Sequence, residues 1–210
     1  MEYNEKQIAI IDIAEKLFAE NGYDATSVRD IAHDAGINVA MISYYFGSKE
    51  KLMEALFERK STNIRIKVEN LIQNENLSPL QKINVLIDDY IDKFIAQQGF
   101  HKIMMREQIV EKDTTVASII LELKKRNLES IKLLIQEGQK NGTFIKNIDV
   151  VLMMTTMVGT VSQMISSQYF YRAVNNMQQM DEIEFRKHMK KKLSVHLKKL
   201  FKALLTYDSQ

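Results

Sequence analysis

Residues 26–51, TSVRDIAHDAGINVAMISYYFGSKEK, decide the fold of this chain. Ser27 has the side-chain oxygen that an N-cap needs, and apolar residues follow it at helical spacing. Gly36 is predicted to end that helix in the left-handed conformation, and Asn38 is predicted to cap a second helix of about two turns over residues 39–46. Two short helices joined by a glycine turn are the helix-turn-helix pattern, whose second helix lies in the DNA major groove.

The run from Ile11 to Lys51 resembles the DNA-binding domain of the TetR (tetracycline-repressor-like) transcriptional regulators. The matching residues fall in one unbroken order: Leu17, Phe18, Gly22, Tyr23, Thr26, Ser27, Ile31, Ala32, Ala35, Gly36, Ile37, Ile42, Tyr44, Phe46, Ser48 and Lys49. The resemblance covers about the first quarter of the chain, and beyond about residue 60 only the number and length of the helices are family-like.

This resemblance implies an all-α protein with two domains and about nine helices. Residues 1–47 would form a three-helix helix-turn-helix domain, and a long helix over residues 48–73 would join it to the rest. Residues 48–210 would form the larger helical domain for effector binding and dimerisation. We expect the boundary near residues 47–60, inside this long helix and without a flexible linker, so coupling between the domains would be mechanical.

The amino-acid composition is typical of a helical protein, and the sequence contains no cysteine. Of the 210 residues 45% are hydrophobic, one is proline and none is tryptophan or cysteine. Disulfides and Cys-based zinc sites are therefore excluded. The sequence shows no signal peptide and no run of about 18 apolar residues, so we expect a cytoplasmic protein without stable membrane association.

Net charge alone does not predict a nucleic-acid partner. Residues 1–60 carry 7 Lys+Arg against 11 Asp+Glu, a net charge of −4, although the whole chain is at +2. Phosphates are contacted by particular side chains and backbone N–H groups, so the position of each charge matters more than the sum. We expect modest, strongly salt-sensitive DNA affinity.

In the family pattern, the positions of Val39, Ala40 and Met41 approach base edges and those of Tyr44, Tyr45 and Lys49 hold phosphates. Apolar side chains at the base-facing positions read thymine methyl groups, so we expect Arg29, Thr26 and DNA shape to add specificity. Tyrosine is commoner than serine at position 43, a departure from the pattern. The predicted DNA-binding set is Thr26, Ser27, Arg29, Asn38, Val39, Ala40, Met41, Ser43, Tyr44, Tyr45 and Lys49.

Capping and stop signals predict the later helices. They are expected over residues 49–73, from Pro79 to Gln98 with a stop at Gly99, over 100–110, from a cap at Asp113 or Thr114 to Lys140, from a cap at Asn147 to about Arg172, and from Asp181 to about Leu205.

The last two long helices carry stripes that suit an oligomer surface, although an intramolecular core would use similar stripes. The resemblance implies a two-fold four-helix bundle, and two reading heads about 34 Å apart would match successive major grooves. The predicted homodimer interface is Val151, Thr155, Val158, Gly159, Ser162, Phe185, Met189, Leu193, Leu197 and Leu200.

Twelve methionines suggest adaptable apolar space for a small ligand, although ordinary core packing would also use them. The resemblance implies an effector pocket in the second domain, and an apolar or amphipathic ligand there would release the DNA. The predicted lining is Tyr90, Phe94, His101, Met104, Met105, Gln108, Met153 and Met157.

The motifs of enzymes and metal proteins are missing from the sequence. There is no phosphate loop, nucleotide-binding glycine motif, serine nucleophile context or convincing His spacing for a metal, so we expect no catalytic residues, metal or cofactor. The prediction is a ligand-responsive repressor with a double-stranded DNA operator. The alternative is a helix-turn-helix binder or helical scaffold that answers a protein partner or, through the basic run RKHMKKK (186–192), a membrane surface.

Overall fold

A computed structural model describes residues 3–110 and 114–206, without the side chains of residues 61–65 and 108–110. Within these residues the chain forms ten α-helices and no strand. They are α1 (Glu5–Asn21), α2 (Val28–Asp34), α3 (Val39–Phe46), α4 (Lys49–Gln73), α5 (Pro79–Ala96), α6 (Gln98–Val110), α7 (Thr115–Lys140), α8 (Val150–Ser166), α9 (Gln168–Val174) and α10 (Glu182–Leu205). The all-α prediction is confirmed.

Two predicted boundaries between residues 147 and 172 are wrong. Asp149, not Asn147, caps α8, and its carboxylate accepts from the Leu152 amide at 2.9 Å. Asn147 has a φ of +62°, so it turns the chain before the helix. The predicted single helix to Arg172 is interrupted at Ser167, which separates α8 from α9 and accounts for the tenth helix.

The prediction that Gly99 stops a helix is also wrong. The break comes earlier, between Ala96 and Gln98, and Gly99 lies inside the first turn of α6. A Cβ built on Gly99 would lie 3.5 Å from Oε1 of Glu15 and 3.7 Å from Cβ of Ala19. These separations are ordinary van der Waals contacts, so a Cβ would also fit where α6 packs on α1.

The chain divides into two compact units, Met1–Arg65 with Gln97–Arg126, and Ile66–Ala96 with Asn127–Gln210. Residues 97–126, which we expected in the effector domain, group with the N-terminal helices. Helices α4 and α7 each contribute residues to both units. The functional division into domains at residue 47 stays a prediction.

The first unit has a core built from α1 to α4, α6 and the start of α7. Helix α4 is held on α1 by polar pairs as well as by apolar packing. Lys60 Nζ lies 2.6 Å from Glu15 Oε2, and the Tyr3 hydroxyl donates to Glu58 Oε2 at 3.0 Å. Fully or nearly fully buried members of the core are Ile11, Ala14, Phe18, Ile31, Ile42, Leu52, Met53, Leu56, Phe57, Ile103 and Ile120.

The second unit has its own core, where α5, α8 and α10 pack together. Helix α10 turns one stripe of apolar residues inward, toward α5 and α8. The buried members are Ile83, Ile87, Ile91, Phe94, Leu134, Ile135, Phe144, Met153, Val161, Leu193, Leu197, Phe201 and Leu205.

Within the described residues no single helix has the length and apolar composition to span a membrane. Helices α8 and α9 taken together have this length and composition, but they are bent by 70° relative to each other.

Candidate nucleic-acid interface

Local hydrogen bonds shape the helix-turn-helix as the sequence predicts. The Ser27 hydroxyl accepts from the Asp30 amide at 3.2 Å, and the Asp30 carboxylate accepts from the Ser27 amide at 2.8 Å, which forms a capping box at α2. Gly36 turns the chain with a φ of +63°. The Asn38 side chain then accepts from the Ala40 amide at 2.9 Å and caps α3. Both predicted caps are confirmed.

Helix α3 keeps one side buried and the other open. Ile42 is 1% exposed and fixes the helix on the core, whereas Tyr44 is 79% exposed. Of the predicted DNA-contacting residues, Ser27, Arg29, Asn38, Val39, Ala40, Ser43 and Tyr44 are exposed, and Met41, Tyr45 and Lys49 are partly exposed. These ten residues, which we call the reading surface, are available to a partner, and their contact with DNA stays a prediction.

Thr26 does not belong to the reading surface, and its predicted role as a DNA contact is wrong. The side chain is 1% exposed, and its hydroxyl lies 2.8 Å from the Gly22 carbonyl and 3.3 Å from that of Leu17, to which it donates. Its oxygen therefore closes the turn between α1 and α2 and is not available to DNA.

Lys49 has an internal role beside its predicted phosphate contact. Its ammonium donates to the carbonyls of Tyr23 at 2.8 Å and Thr26 at 3.0 Å, and it lies 4.0 Å from the centre of the Tyr23 ring. It ties the start of α4 to the turn that precedes α2. Sequence spacing could not show this contact, because the residues are 23 and 26 positions apart.

Lys49→Ala is expected to lower both DNA affinity and the stability of the first unit. Loss of two charge-assisted hydrogen bonds to carbonyls that stay partly buried costs about 1–3 kcal/mol. Thermal unfolding of Lys49→Ala and of the exposed control Lys51→Ala, read by circular dichroism, checks this. Equal melting temperatures for the two variants would show that Lys49 does not hold the turn.

His33 is a candidate that the sequence reasoning missed. Its side chain is 88% exposed at the end of α2, one helical turn after Arg29. The i, i+4 spacing of Arg29 and His33 was the available signal, since it places both side chains on one face. His33 Nδ1 lies 3.2 Å from Oδ1 of Asp34.

Helix α6 lies against the turn that leads into the helix-turn-helix. The Arg106 guanidinium covers Gly22 so closely that a Cβ there would lie 2.6 Å from its Cζ. Glu107 is 8% exposed. Burial raises the pKa of the Tyr23 hydroxyl, and the carboxylates of Glu50, Asp24 and Glu107 add to the rise. Changes in α6 can therefore reach this turn directly.

The residues predicted to line an effector pocket do not form one group. Tyr90, Phe94, Met153 and Met157 meet in the second core, where the rings of Tyr90 and Phe94 are 6.0 Å apart and edge-on. His101, Met104 and Met105 belong to the first unit, where Met104 packs on the core and Met105 is 43% exposed. The side chain of Gln108 lies outside the described residues. The single predicted lining is thus wrong in part.

His101 is unsuited to supply a positive charge near neutral pH, because burial lowers its pKa to about 4. The unfolded chain takes up a proton near the ordinary value of about 6.5, so folding stability is full above that pH and falls as the pH drops toward 4. We expect a loss on the order of 2 kcal/mol from this residue. Urea unfolding at pH 7 and pH 4.5 should show a smaller decrease for His101→Gln than for the parent chain. Equal decreases in unfolding free energy for the two chains would contradict a lowered pKa of His101.

The predicted dimer residues of α10 face their own protomer instead. Phe185, Met189, Leu193 and Leu197 are at most 3% exposed, and Leu200 packs partly buried on the second core. Their assignment to an interface is wrong, because the stripe is used by α5 and α8 of the same chain. The predicted residues of α8 are different, since Val151, Thr155 and Gly159 are exposed and Val158 and Ser162 are partly exposed.

Comparison with known proteins covers both parts of the chain. The family described as "Bacterial regulatory proteins, tetR family" matches residues 10–56, and the "Tetracyclin repressor-like, C-terminal domain" matches residues 79–194. A fatty acid metabolism regulator protein of Bacillus subtilis is 27% identical over 164 residues, which are 77% of this chain and 82% of that protein.

Solved structures share the fold. The transcriptional regulator FadR from Bacillus subtilis, in complex with stearoyl-CoA, has a TM-score of 0.64 at 22% identity and covers 90% of this chain and 96% of its own. A SmeT–triclosan complex has a TM-score of 0.78 at 14% identity, with coverage of 98% and 94%. With an exposed reading helix in place and both halves matched, the chain belongs to the TetR family of DNA-binding transcriptional regulators.

Proposed function

We propose that this protein is a cytoplasmic, homodimeric repressor that reads its operator with α3 of each protomer and leaves it when an acyl ligand binds. The reading surface carries the proposal: a capped helix fixed by buried Ile42 presents Tyr44, Val39 and Ala40 to the outside. Its apolar base-facing residues suit thymine methyl groups, and Tyr44 and Lys49 suit flanking phosphates.

The open side of α8 supports a dimer. No charged residue occurs between Val150 and Tyr171, yet only Met153 and Val161 of α8 are buried. Further exposed apolar residues of α8 and α9 are Val151, Leu152, Tyr169, Phe170 and Val174. An apolar surface of this kind on one unit fits a self-complementary contact with a second copy.

Helix α10 contributes less than predicted to this proposed contact. Its buried stripe serves the protomer, and its open side carries Lys191, Lys199 and Lys202 around Val195. Two such basic faces would repel each other in a symmetric dimer. We therefore place the centre of the interface on α8 and α9.

Gly159→Glu is expected to dissociate the dimer without harming the protomer. In the described part of the chain, a Cβ built on Gly159 meets no atom within 4 Å, so a side chain here fits the single protomer. In a two-fold contact it brings two carboxylates into an apolar surface, which should weaken dimerisation about 100-fold or more. Sedimentation velocity of Gly159→Glu and of the exposed loop control Asn76→Glu measures this. A dimer of unchanged affinity would place the interface elsewhere.

The second core supports an apolar effector. Phe94, Met153 and Met157 offer rings and flexible thioethers, which adapt to chains of different shape. Burial raises the pKa of Tyr90, whose hydroxyl is protonated at neutral pH in any case, so this tyrosine adds no negative charge to the core. The relatives named for fatty acid metabolism and for bound stearoyl-CoA point to a fatty acyl thioester as the ligand class.

The effector is expected to act by favouring a conformation that fits DNA poorly. Helices α4 and α7 contribute residues to both units, and α6 lies on the turn at Gly22, so movement of these helices can alter the helix-turn-helix. Typical coupling of about 1–3 kcal/mol corresponds to roughly 5- to 150-fold weaker operator binding.

Operator affinity with and without ligand tests this function. Operators would be mapped by chromatin immunoprecipitation, and fluorescence anisotropy would follow the purified protein on the mapped site with stearoyl-CoA, free coenzyme A or stearate. We expect release by stearoyl-CoA and none by coenzyme A. Intact operator binding that no acyl compound alters would reject the ligand class and keep the DNA function, whereas absence of mapped sites would reject both.

A further inference from the structure

Helix α10 carries an unusual density of positive charge outside the reading surface. Eight basic side chains lie between Arg186 and Lys202, and the acidic residues of the helix, Glu182 and Glu184, are confined to its first turn. Neither operator reading nor the buried stripe of α10 uses these lysines. Several of these lysines lie beside Asp88 of α5.

A concave groove concentrates part of this charge. It has a volume of about 320 Å³ and is lined by Asp88 of α5 and by Lys187, Lys190, Lys191 and Ser194 of α10. Lys187 and Lys191 are one helical turn apart and both exposed, so their ammonium groups can reach one ligand. We call these five residues the lysine groove.

The acidic residues at the lysine groove already have partners. Asp88 accepts from Ser194 Oγ at 2.6 Å and from Lys198 Nζ at 2.5 Å, and Asp92 lies 2.6 Å from Lys190 Nζ. Burial alone would raise the pKa of Asp88, but the bonds from Lys198 and Ser194 outweigh it and lower that pKa. Both carboxylates are thus committed to α10.

Two cations of the groove have no such partner. Across the described residues, Lys187 and Lys191 make no hydrogen bond or ion pair. The four lysines at 187, 190, 191 and 198 against the two aspartates at 88 and 92 leave a local charge of +2. A dianion seated between Lys187 and Lys191 would neutralise the site.

We propose that the lysine groove binds the phosphate dianion of a soluble, nucleotide-sized organic phosphate. Lysine ammonium groups bind phosphate as flexible point charges, and charge-assisted bonds to phosphate are stronger than neutral ones. Lys187 and Lys191 lie one helical turn apart beside Asp88, so their ammonium groups can be bridged by a single phosphate group. The site is independent of the reading surface and of the effector proposed above.

Isothermal titration calorimetry of the full chain with pyrophosphate and with uridine 5′-monophosphate, which is not a fragment of coenzyme A, tests the proposal. We expect saturable binding that weakens with added salt, because the ammonium groups are exposed. Lys187→Gln with Lys191→Gln should weaken it on the order of tenfold or more, since two charge-assisted contacts are lost. The matched pair Lys199→Gln with Lys202→Gln, on the same helix but outside the groove, should leave it unchanged.

A third variant separates ligand binding from a structural role. Asp92→Asn frees Lys190 from its ion pair and raises the local charge, so it should tighten pyrophosphate binding several-fold. All variants should retain the parent's thermal unfolding curve, since the changed side chains are exposed. Equal weakening by both lysine pairs, or no saturable binding, would overturn the proposal. Binding to phosphatidic acid vesicles without binding to pyrophosphate would replace it with a membrane site.

Discussion

Tyr44→Ala is expected to weaken operator binding by about 30- to 150-fold, with little change in thermal stability. The side chain is 79% exposed, so its removal disturbs no core. One lost phosphate contact costs about 1–1.5 kcal/mol, and the dimer loses it twice, which sums to about 2–3 kcal/mol. Fluorescence anisotropy on the mapped operator and on a scrambled duplex should show the same loss on both, because phosphate contacts are independent of sequence.

Two companion variants make this result specific. Tyr44→Phe keeps the ring and removes only the hydroxyl, so it should fall between the parent and Tyr44→Ala. Arg29→Ala should instead reduce the preference for the operator over the scrambled duplex. Operator binding that survives both alanine variants would show that α3 does not dock as proposed.

Lys82→Ala is expected to destabilise the second unit by about 3–5 kcal/mol. The residue is 1% exposed, and its ammonium donates to Glu137 Oε1 at 2.7 Å and to the Ile72 carbonyl in the last turn of α4 at 3.0 Å. Its loss removes the partner of the Glu137 carboxylate and of the Ile72 carbonyl. The Oε2 atom of Glu137 has no hydrogen-bond partner among the described residues even in the parent chain. The Glu137 side chain is 32% exposed, so solvent screening favours the lower end of the range.

Denaturant unfolding monitored by circular dichroism measures this loss. Lys125→Ala is the matched control, because its ion pair with Glu122 is exposed and should contribute only about 0.5 kcal/mol. Lys82→Met combined with Glu137→Met should recover most of the stability, since both charges are then removed together. If Lys82→Ala lowered the free energy of unfolding no more than Lys125→Ala, the buried ion pair would not stabilise the second unit as proposed.

Helix boundaries set by local chemistry were predictable from the sequence. Ser27 and Asn38 cap α2 and α3 because their side chains bond to amides two or three residues away. Asp181 caps α10 in the same way. Such bonds depend on neighbours in the chain, so these three caps could be predicted, whereas at α8 the cap is Asp149 and not the predicted Asn147.

Features that depend on distant neighbours were not predictable. The apolar stripe of α10 looks the same whether α5 of the same chain or a second copy covers it, and only the fold shows that Phe185 and Leu197 are buried internally. Thr26 resembles a surface hydroxyl in sequence, yet it bonds to Leu17, nine residues earlier.

The predicted pocket lining was wrong in part for a related reason. His101 and Met153 both lie among apolar residues in the middle helices of the sequence, but in the fold they belong to different compact units. Helical periodicity gives the face of each residue and not the element that covers it. The predicted interface residues of α8 differ from those of α10, because Val151, Thr155 and Gly159 remain exposed in the fold.

Hydroxyl-radical footprinting of the purified protein on its mapped operator tests the central claim most directly. Two reading surfaces related by two-fold symmetry predict two protected segments centred about 34 Å apart, or a multiple of that distance, on a pseudo-palindromic site. Loss of both segments in Tyr44→Ala should accompany the loss of affinity. A single protected segment on an asymmetric site, or protection that persists in Tyr44→Ala, would contradict a dimer that reads DNA with α3.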